Sequence, residues 1–195
     1  MVLMADWLIG VDEAGRGPLA GPVAVGVVAV APGFDVMAEF SGVKDSKLLN
    51  PQKRERIYSA LERRAAQGDV RYCIRLSSSA YIDRFGITRA VRKAVWGGVR
   101  YLGSAEDSVV LLDGLLRAPK EYMQRTIIGG DNRVPIISLA SVIAKVTRDR
   151  LMEELSEVYP QYGFEAHKGY GTPEHRLAIS RYGLCDIHRK SFCGA

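Results

Sequence analysis

Four carboxylates carry the first chemical signal in this chain. Asp12 and Glu13 are adjacent in Ile9-Gly10-Val11-Asp12-Glu13-Ala14-Gly15-Arg16-Gly17-Pro18. Asp113 stands in Leu112-Asp113-Gly114, and Asp131 in Gly129-Gly130-Asp131-Asn132. Each follows an apolar, β-branched run that reads as a strand. A strand end is a rigid support for a ligating side chain. Oxygen donors without a Cys/His cluster suit a hard divalent cation, magnesium or manganese rather than zinc. Magnesium usually keeps several waters and is held by a few carboxylates plus substrate phosphate oxygens. Two such ions about 4 Å apart activate an attacking water and stabilise the leaving oxygen of an in-line displacement. Without a cation, the acids repel one another and the phosphate. Gly15 and Gly17 leave backbone bare for close approach of a ligand, and Arg16 adds a fixed charge that suits phosphate. Consecutive strand side chains point to opposite faces. Asp12 and Glu13 can therefore serve one site only if the strand ends between or just after them. Read singly, Asp113 before Gly114 and Asp131 in its Gly-rich turn are also ordinary turn residues.

The elements that must position these acids are legible in outline. Trp7 to Val11 reads as a buried strand and Pro22 to Ala31 as a second, joined by a short loop as an antiparallel hairpin or meander. Asn50 as N-cap and Pro51 at the first position open a helix whose stripe is Ile57, Ala60, Leu61 and Ala65, with Gly68 as its cap. Its other side carries Lys53, Arg54, Arg56, Arg63 and Arg64 and reads as a solvated face. Val70 to Leu76 is a third strand. A helical region then opens at Ser77-Ser78-Ser79, is interrupted at Gly86, and continues on a stripe from Ile87 to Val99, where Gly97-Gly98 permits close packing. Ser108 to Leu112 and Gln124 to Ile128 are the fourth and fifth strands. The strongest helix begins at Pro135 or Ser138 and closes at Pro160. Leu139, Val142, Ile143, Val146, Leu151 and Leu155 line one side of it; Lys145, Arg148, Asp149, Arg150 and Glu153 sit mainly elsewhere. A Gly-, Tyr- and Lys-bearing loop from Tyr162 to Thr172 precedes a last helix at Thr172-Pro173, with Gly183 beyond its end. The tail Ile187 to Phe192 is short and basic. His167 and His188 are read in basic loops where they could touch phosphate, and His175 as structural.

Bulk properties narrow the class. The 195 residues, 47% hydrophobic and 25% charged, fit one globular domain with a real core. The longest apolar run, Val23 to Ala31, is too short to span a bilayer, and no signal peptide is read. Cys73, Cys185 and Cys193 form no CxxC pair, which argues for reduced thiols in the cytoplasm and against a disulfide framework or zinc knuckle. A net charge of +5 is compatible with a polyanionic partner.

Asp-Glu-Ala-Gly-Arg-Gly-Pro at Asp12 to Pro18 resembles the signature of the type 2 ribonucleases H (ribonuclease HII), which cut the RNA strand of RNA–DNA hybrids. The resemblance continues in order through Asp45-Ser46-Lys47, the helix Ser138 to Asp149, His167-Lys168-Gly169-Tyr170-Gly171 and the His-Arg-Lys-Ser-Phe tail. Two departures are Gly129, where the nearest family pattern has lysine, and a lower alanine content around Leu139. The resemblance implies a ribonuclease H-like α/β fold. Its mixed five-stranded sheet would be flanked by helices, the first strands antiparallel and the later ones parallel. A small C-terminal helical segment, about residues 160–195, would contribute the substrate-binding loop and helix.

The same resemblance makes Asp12, Glu13, Asp113 and Asp131 the catalytic, metal-binding acids for Mn2+ or Mg2+. It implies that Gly15, Arg16 and Gly17 read the ribose at an RNA–DNA junction, that Tyr170 packs on the adjacent deoxyribose, and that Ser46 and Lys47 grip a phosphate. The implied partners are RNA–DNA hybrids and DNA duplexes containing ribonucleotides, with no membrane; a cytoplasmic monomer is expected. Two other readings share parts of the pattern. Another nuclease or strand-transfer enzyme of this fold would keep the acids but lack the pairing of Gly-Arg-Gly with Tyr170. A non-catalytic nucleic-acid-binding module would use the basic surface alone.

Overall fold

The structure, a computed structural model, describes residues 6–43 and 49–194. Five strands form one mixed sheet in the order β3-β2-β1-β4-β5: β1 Trp7–Ala14, β2 Val23–Val30, β3 Val70–Ser77, β4 Ser108–Asp113 and β5 Met123–Ile127. β1, β2 and β3 are an antiparallel meander. β4 then runs parallel to β1, and β5 parallel to β4. The expected mixed sheet is the one observed, with β5 one residue earlier than its sequence pattern suggests. Met123 is 59% exposed, so alternation of burial marks that edge strand only weakly.

The helices are α1 Val36–Glu39, α2 Pro51–Gln67, α3 Ser79–Phe85, α4 Ile87–Leu102, α5 Pro135–Val158, α6 Phe164–His167, α7 Pro173–Tyr182 and α8 Lys190–Cys193. Local chemistry sets several boundaries. The Asn50 side chain accepts from the Lys53 amide at 2.8 Å, and Gly68 ends α2 in the left-handed conformation at φ 88°. Gly86, at φ 80°, both ends α3 and opens α4.

β2 is buried along its whole length because both sheet faces are covered. Val25 and Val27 pack with Ile9, Val11, Ala94 and Val95 in the α4 layer. Val28 and Val30 pack with Ile57, Leu61, Leu139 and Ile143 in the layer of α2 and α5. Two glycines let α5 come unusually close. A Cβ at Gly10 would lie 2.5 Å from the Ile136 carbonyl oxygen, and one at Gly26 2.2 Å from that of Ala140. Gly98 does the same for α4, where a Cβ would meet Val27 Cγ2 at 2.6 Å.

The C-terminal segment differs from a plain loop and basic tail. Tyr162 and Phe164 are buried and stack on each other, so the region between α5 and α7 is a small apolar cluster with Met152 and Ala20. His188 is 1% exposed, which rules out the phosphate contact read from its basic surroundings. Its Nε2 faces His175 Nε2 at 3.0 Å, and its Nδ1 accepts from the Cys185 amide at 2.9 Å. His167 stacks on His175 at 4.4 Å between centroids, and its Nε2 bonds the Tyr162 carbonyl. The tail itself closes as α8, with the Asp83 carboxylate accepting from the amides of Lys190 and Ser191 at 2.9 and 3.0 Å.

Candidate active site

β1 ends at Ala14, one residue past Glu13, so both acids sit on the last turn of pleat before the chain leaves the sheet. The β1–β4 ladder pairs Val11 with Leu112. One step further along each parallel strand brings Asp12 beside Asp113. Asp113 adds to the cost of ionising both acids of β1. Burial pushes the Asp12 carboxyl well above the usual carboxylate range, a side-chain hydrogen bond with Ser141 opposes the rise, and the charges of Glu13 and Asp113 add to it. Burial likewise raises Glu13; Arg16 counters this, and Asp113 adds to it. Arg16 Nη1 lies 3.3 Å from Glu13 Oε1.

Asp131 arrives by a different route. β5 leads into a 3₁₀ turn, Gly130–Asn132, whose amides face Asp113. The Gly130 N–H donates to Asp113 Oδ1 at 2.7 Å, and the Asp131 N–H reaches the same oxygen at 3.4 Å. Ser138 of α5 anchors the turn by donating to the Asp131 carbonyl at 2.6 Å. The Asp131 side chain is buried, with Oδ1 accepting from Asn132 Nδ2 at 3.1 Å. Among the described residues, no three His, Cys, Asp or Glu side chains already form a metal cage. Like charges at strand ends have no reason to converge until a cation draws them together.

Beside the acids lies a cleft of about 400 Å³, lined by Glu13, Gly15, Arg16, Gly17, Tyr170 and, from α2 and α5, Arg54, Ser141 and Lys145. It brings the Gly-Arg-Gly turn and Tyr170, far apart in sequence, onto one surface. Tyr170 is 44% exposed, so its ring is available to a ligand. Ser46 and Lys47 lie outside the described residues.

Five residues with a part in this site were not singled out from the sequence. Ser141, Lys145 and Arg148 fall at i, i+4 and i+7 on α5, and so line one face. That polar stripe within an apolar helix is the signal that could have found them. Arg54 belongs to the basic side of α2 and turns into the cleft. Arg148 is 1% exposed rather than solvated, because its guanidinium runs under the Gly-Arg-Gly turn. Its Nε donates to the Pro22 carbonyl at 2.9 Å and its Nη2 to that of Ala20 at 3.1 Å. Arg189, from the basic tail, is fully buried. It donates from Nη2 to the Gly15 carbonyl at 2.7 Å, from Nη1 to that of Arg16 at 3.0 Å and from Nε to that of Gly21 at 2.9 Å. An arginine in a charged tripeptide carries no sequence mark of burial.

Residues 9–195 match the protein family described as Ribonuclease HII. A Ribonuclease HII of Ruminiclostridium cellulolyticum is 43% identical over 96% of this chain and 70% of its own length. One of Geobacillus thermodenitrificans is 45% identical over 95% of this chain and 68% of its own. Among solved structures, the ribonuclease H2 of Pyrococcus horikoshii superposes with a TM-score of 0.73 at 27% identity, covering 95% of this chain and 93% of that one. The ribonuclease HII of Archaeoglobus fulgidus, solved in complex with PCNA, shares the fold with a TM-score of 0.77 at 23% identity, covering 96% and 94%. Acids on adjoining strand ends, the Gly-Arg-Gly turn that follows them, and a match along nearly the whole length lead to one conclusion: the chain belongs to the ribonuclease HII family.

Proposed function

We infer that this chain is a metal-dependent endoribonuclease. It hydrolyses the RNA strand of RNA–DNA hybrids and nicks 5′ of single ribonucleotides embedded in duplex DNA, leaving 5′-phosphate and 3′-hydroxyl ends. The observation that carries this reading is the placement of Asp113 beside Asp12, next to a cleft holding both Gly15-Arg16-Gly17 and Tyr170.

Asp12, Glu13, Asp113 and Asp131 are the residues that would hold Mg2+ or Mn2+. The donor set fits such an ion. It consists of carboxylates, and burial together with mutual repulsion leaves Asp12 and Glu13 in need of positive charge. When bound, divalent cations lower the cost of forming hydroxide from water and stabilise the leaving 3′-oxygen. The chain's own residues do the rest. Lys145 and Arg54 line the cleft and offer positive charge to the phosphates of the bound strand. The exposed backbone of Arg16 and Gly17 meets the ribose 2′-hydroxyl, the group that distinguishes RNA from DNA. Tyr170 lies against the neighbouring deoxyribose and so sets the register of the junction.

The chain acts as one catalytic unit, to which residues 160–195 contribute the Tyr170 loop and the helices behind it. Among the described residues no helix is long and apolar enough to cross a membrane, and Cys73, Cys185 and Cys193 are all unbridged. In this reading the chain works on nucleic acid as a monomer in the cytoplasm. The test is cleavage of a duplex carrying one ribonucleotide, beside an all-DNA duplex of the same sequence, with Mg2+, with Mn2+ and with EDTA. A single metal-dependent nick 5′ of the ribonucleotide is expected. Cutting of both duplexes would point instead to a general nuclease of the same fold.

A further inference from the structure

Arg148 and Arg189 are buried guanidiniums, and among the described residues neither forms an ion pair with a carboxylate. Burying a charge without a counter-ion is expensive, and folds keep such groups where the charge has work to do. Here both are spent on backbone carbonyls of one segment, residues 15–22. Arg189 uses its whole fork on it: Nη2 to Gly15, Nη1 to Arg16 and Nε to Gly21, at 2.7, 3.0 and 2.9 Å. Arg148 supports the same segment from α5 through Pro22 and Ala20. Gly15 rests directly on it: a Cβ there would lie 2.0 Å from Arg148 Nε, at φ +86°. The Arg148 guanidinium also sits 5.9 Å from the Tyr170 ring centroid. The turn and the tyrosine are therefore tied to one charged anchor.

The bonding pattern has a chemical consequence. The Gly15 carbonyl belongs to the same peptide group as the Arg16 N–H, and the Arg16 carbonyl to that of the Gly17 N–H. A carbonyl oxygen that accepts from a cation draws electron density out of its peptide and makes the N–H of that peptide a stronger donor. The N–H groups of Arg16 and Gly17 make no hydrogen bond among the described residues, and both residues are exposed at the cleft. We propose that Arg189 is the positioning residue for ribose recognition. It holds the Gly15–Arg16–Gly17 turn in place and charges its two outward-facing amides, so that these, rather than the Arg16 side chain, select an oxygen-bearing sugar. Arg148 fixes Tyr170 against the same turn. The proposal rests on the ribonucleotide-directed reading above.

The test measures binding without cutting, with Ca2+ in place of the catalytic cation. Dissociation constants are compared for a duplex carrying one ribonucleotide and for the same duplex in all-DNA form. The wild-type chain is expected to prefer the first. Arg189→Met should bring the ratio at least tenfold closer to one while changing all-DNA binding less than threefold. Arg189→Lys keeps the charge but cannot span two carbonyls; it should keep the fold and lose three- to tenfold of the preference. In both variants the Gly17 amide proton resonance should move upfield, as its donor strength falls. A folded Arg189→Lys with wild-type preference and an unmoved Gly17 amide overturns the proposal, as does equal weakening on both duplexes. Absence of any preference in the wild-type chain would instead remove the functional reading, and the Gly17 resonance would still report on the polarised turn.

Discussion

Asp113 follows Leu112, the parallel-ladder partner of Val11, and so stands beside Asp12 at the same edge of the sheet. Burial of the Asp12 carboxylate, with repulsion from Glu13 and Asp113 added to it, gives the metal-free fold a cost that a neutral side chain would relieve. Asp12→Asn should therefore raise stability in EDTA by about 1 kcal/mol, or roughly 2–4 °C in melting temperature for a chain of this size. Cleavage should fall by at least about 100-fold, because a carboxylate for the cation is lost. Magnesium should raise the wild-type melting temperature and leave that of the variant nearly unchanged. An Asp12→Asn chain that cuts at the wild-type rate would refute the metal assignment.

The approach of α5 to β1 and β2 is as important as the acids themselves. Gly26 is the ladder partner of Asp12, and a Cβ on it would meet the Ala140 carbonyl oxygen at 2.2 Å. Gly26→Ala must push α5 outward and carry Ser141 away from Asp12. A loss of about 2–3 kcal/mol is expected, with cleavage per folded molecule reduced more than about tenfold. Gly97→Ala is the matched control. Nothing lies within 4 Å of a Cβ there, and the site is an exposed helix interior, so about 0.5–1 kcal/mol should be gained. Urea unfolding of both variants, with cleavage assays on the same samples, tests the contrast.

Much of this arrangement is legible in the chain because it is local. Asn50, Pro51 and Gly68 mark both ends of α2 through their own backbone chemistry, and Gly86 breaks the α3–α4 region for the same reason. Apolar runs ending in Asp12, Glu13 and Asp113 announce strands that deliver acids, and the parallel register between β1 and β4 completes the pattern. The illegible part depends on partners remote in sequence. Arg148 and Arg189 read as surface charges because their acceptors are carbonyls of residues 15–22, more than a hundred positions away. His188 reads as a loop histidine in a basic tail for the same reason, yet the aromatic cluster around Tyr162 and Phe164 encloses it.

His175 provides a pH handle away from the acids. It is fully buried, and desolvation pulls its pKa from 6.5 down to about 4, helped by the nearby charges of His167 and His188. The folded chain thus holds a neutral imidazole where the unfolded chain takes up a proton below pH 6.5. Stability is fully present above that pH and is lost as pH falls from 6.5 toward 4. At about 1.36 kcal/mol per pH unit, the loss from His175 alone is on the order of 2–3 kcal/mol. His188, also lowered by burial, acts in the same direction. Urea midpoints between pH 7 and 5 should fall for the wild type and flatten in His175→Gln. Parallel slopes for the two chains would show that carboxylates elsewhere set the acid limit.

Lys145 lines the cleft from α5 and is paired with Asp149 at 2.8 Å across one helical turn. With 34% of its side chain exposed, that pair stabilises the helix little, so the charge is available to a phosphate. Lys145→Ala should raise KM on a uniform hybrid by about three- to tenfold with kcat nearly constant. It should also reduce the slope of log affinity against log salt by about one. An unchanged salt slope would show that the bound strand passes elsewhere.

Tyr170 separates sugar recognition from general affinity. The residue is 44% exposed beside the Gly-Arg-Gly turn, and its ring has the Arg148 guanidinium 5.9 Å from its centroid. Covering roughly 50 Å² of ring against a deoxyribose, at about 25 cal/mol per Å², contributes about 1.3 kcal/mol, or about tenfold. Tyr170→Ala should therefore cut the rate at a single embedded ribonucleotide by about tenfold or more. Binding of a uniform hybrid should weaken less than about threefold, because phosphate contacts dominate there. Tyr170→Phe keeps the packing surface and should stay within about threefold of wild type on both substrates. If alanine reduced both quantities equally, the ring would be contributing affinity alone and the register of the junction would be set by the turn.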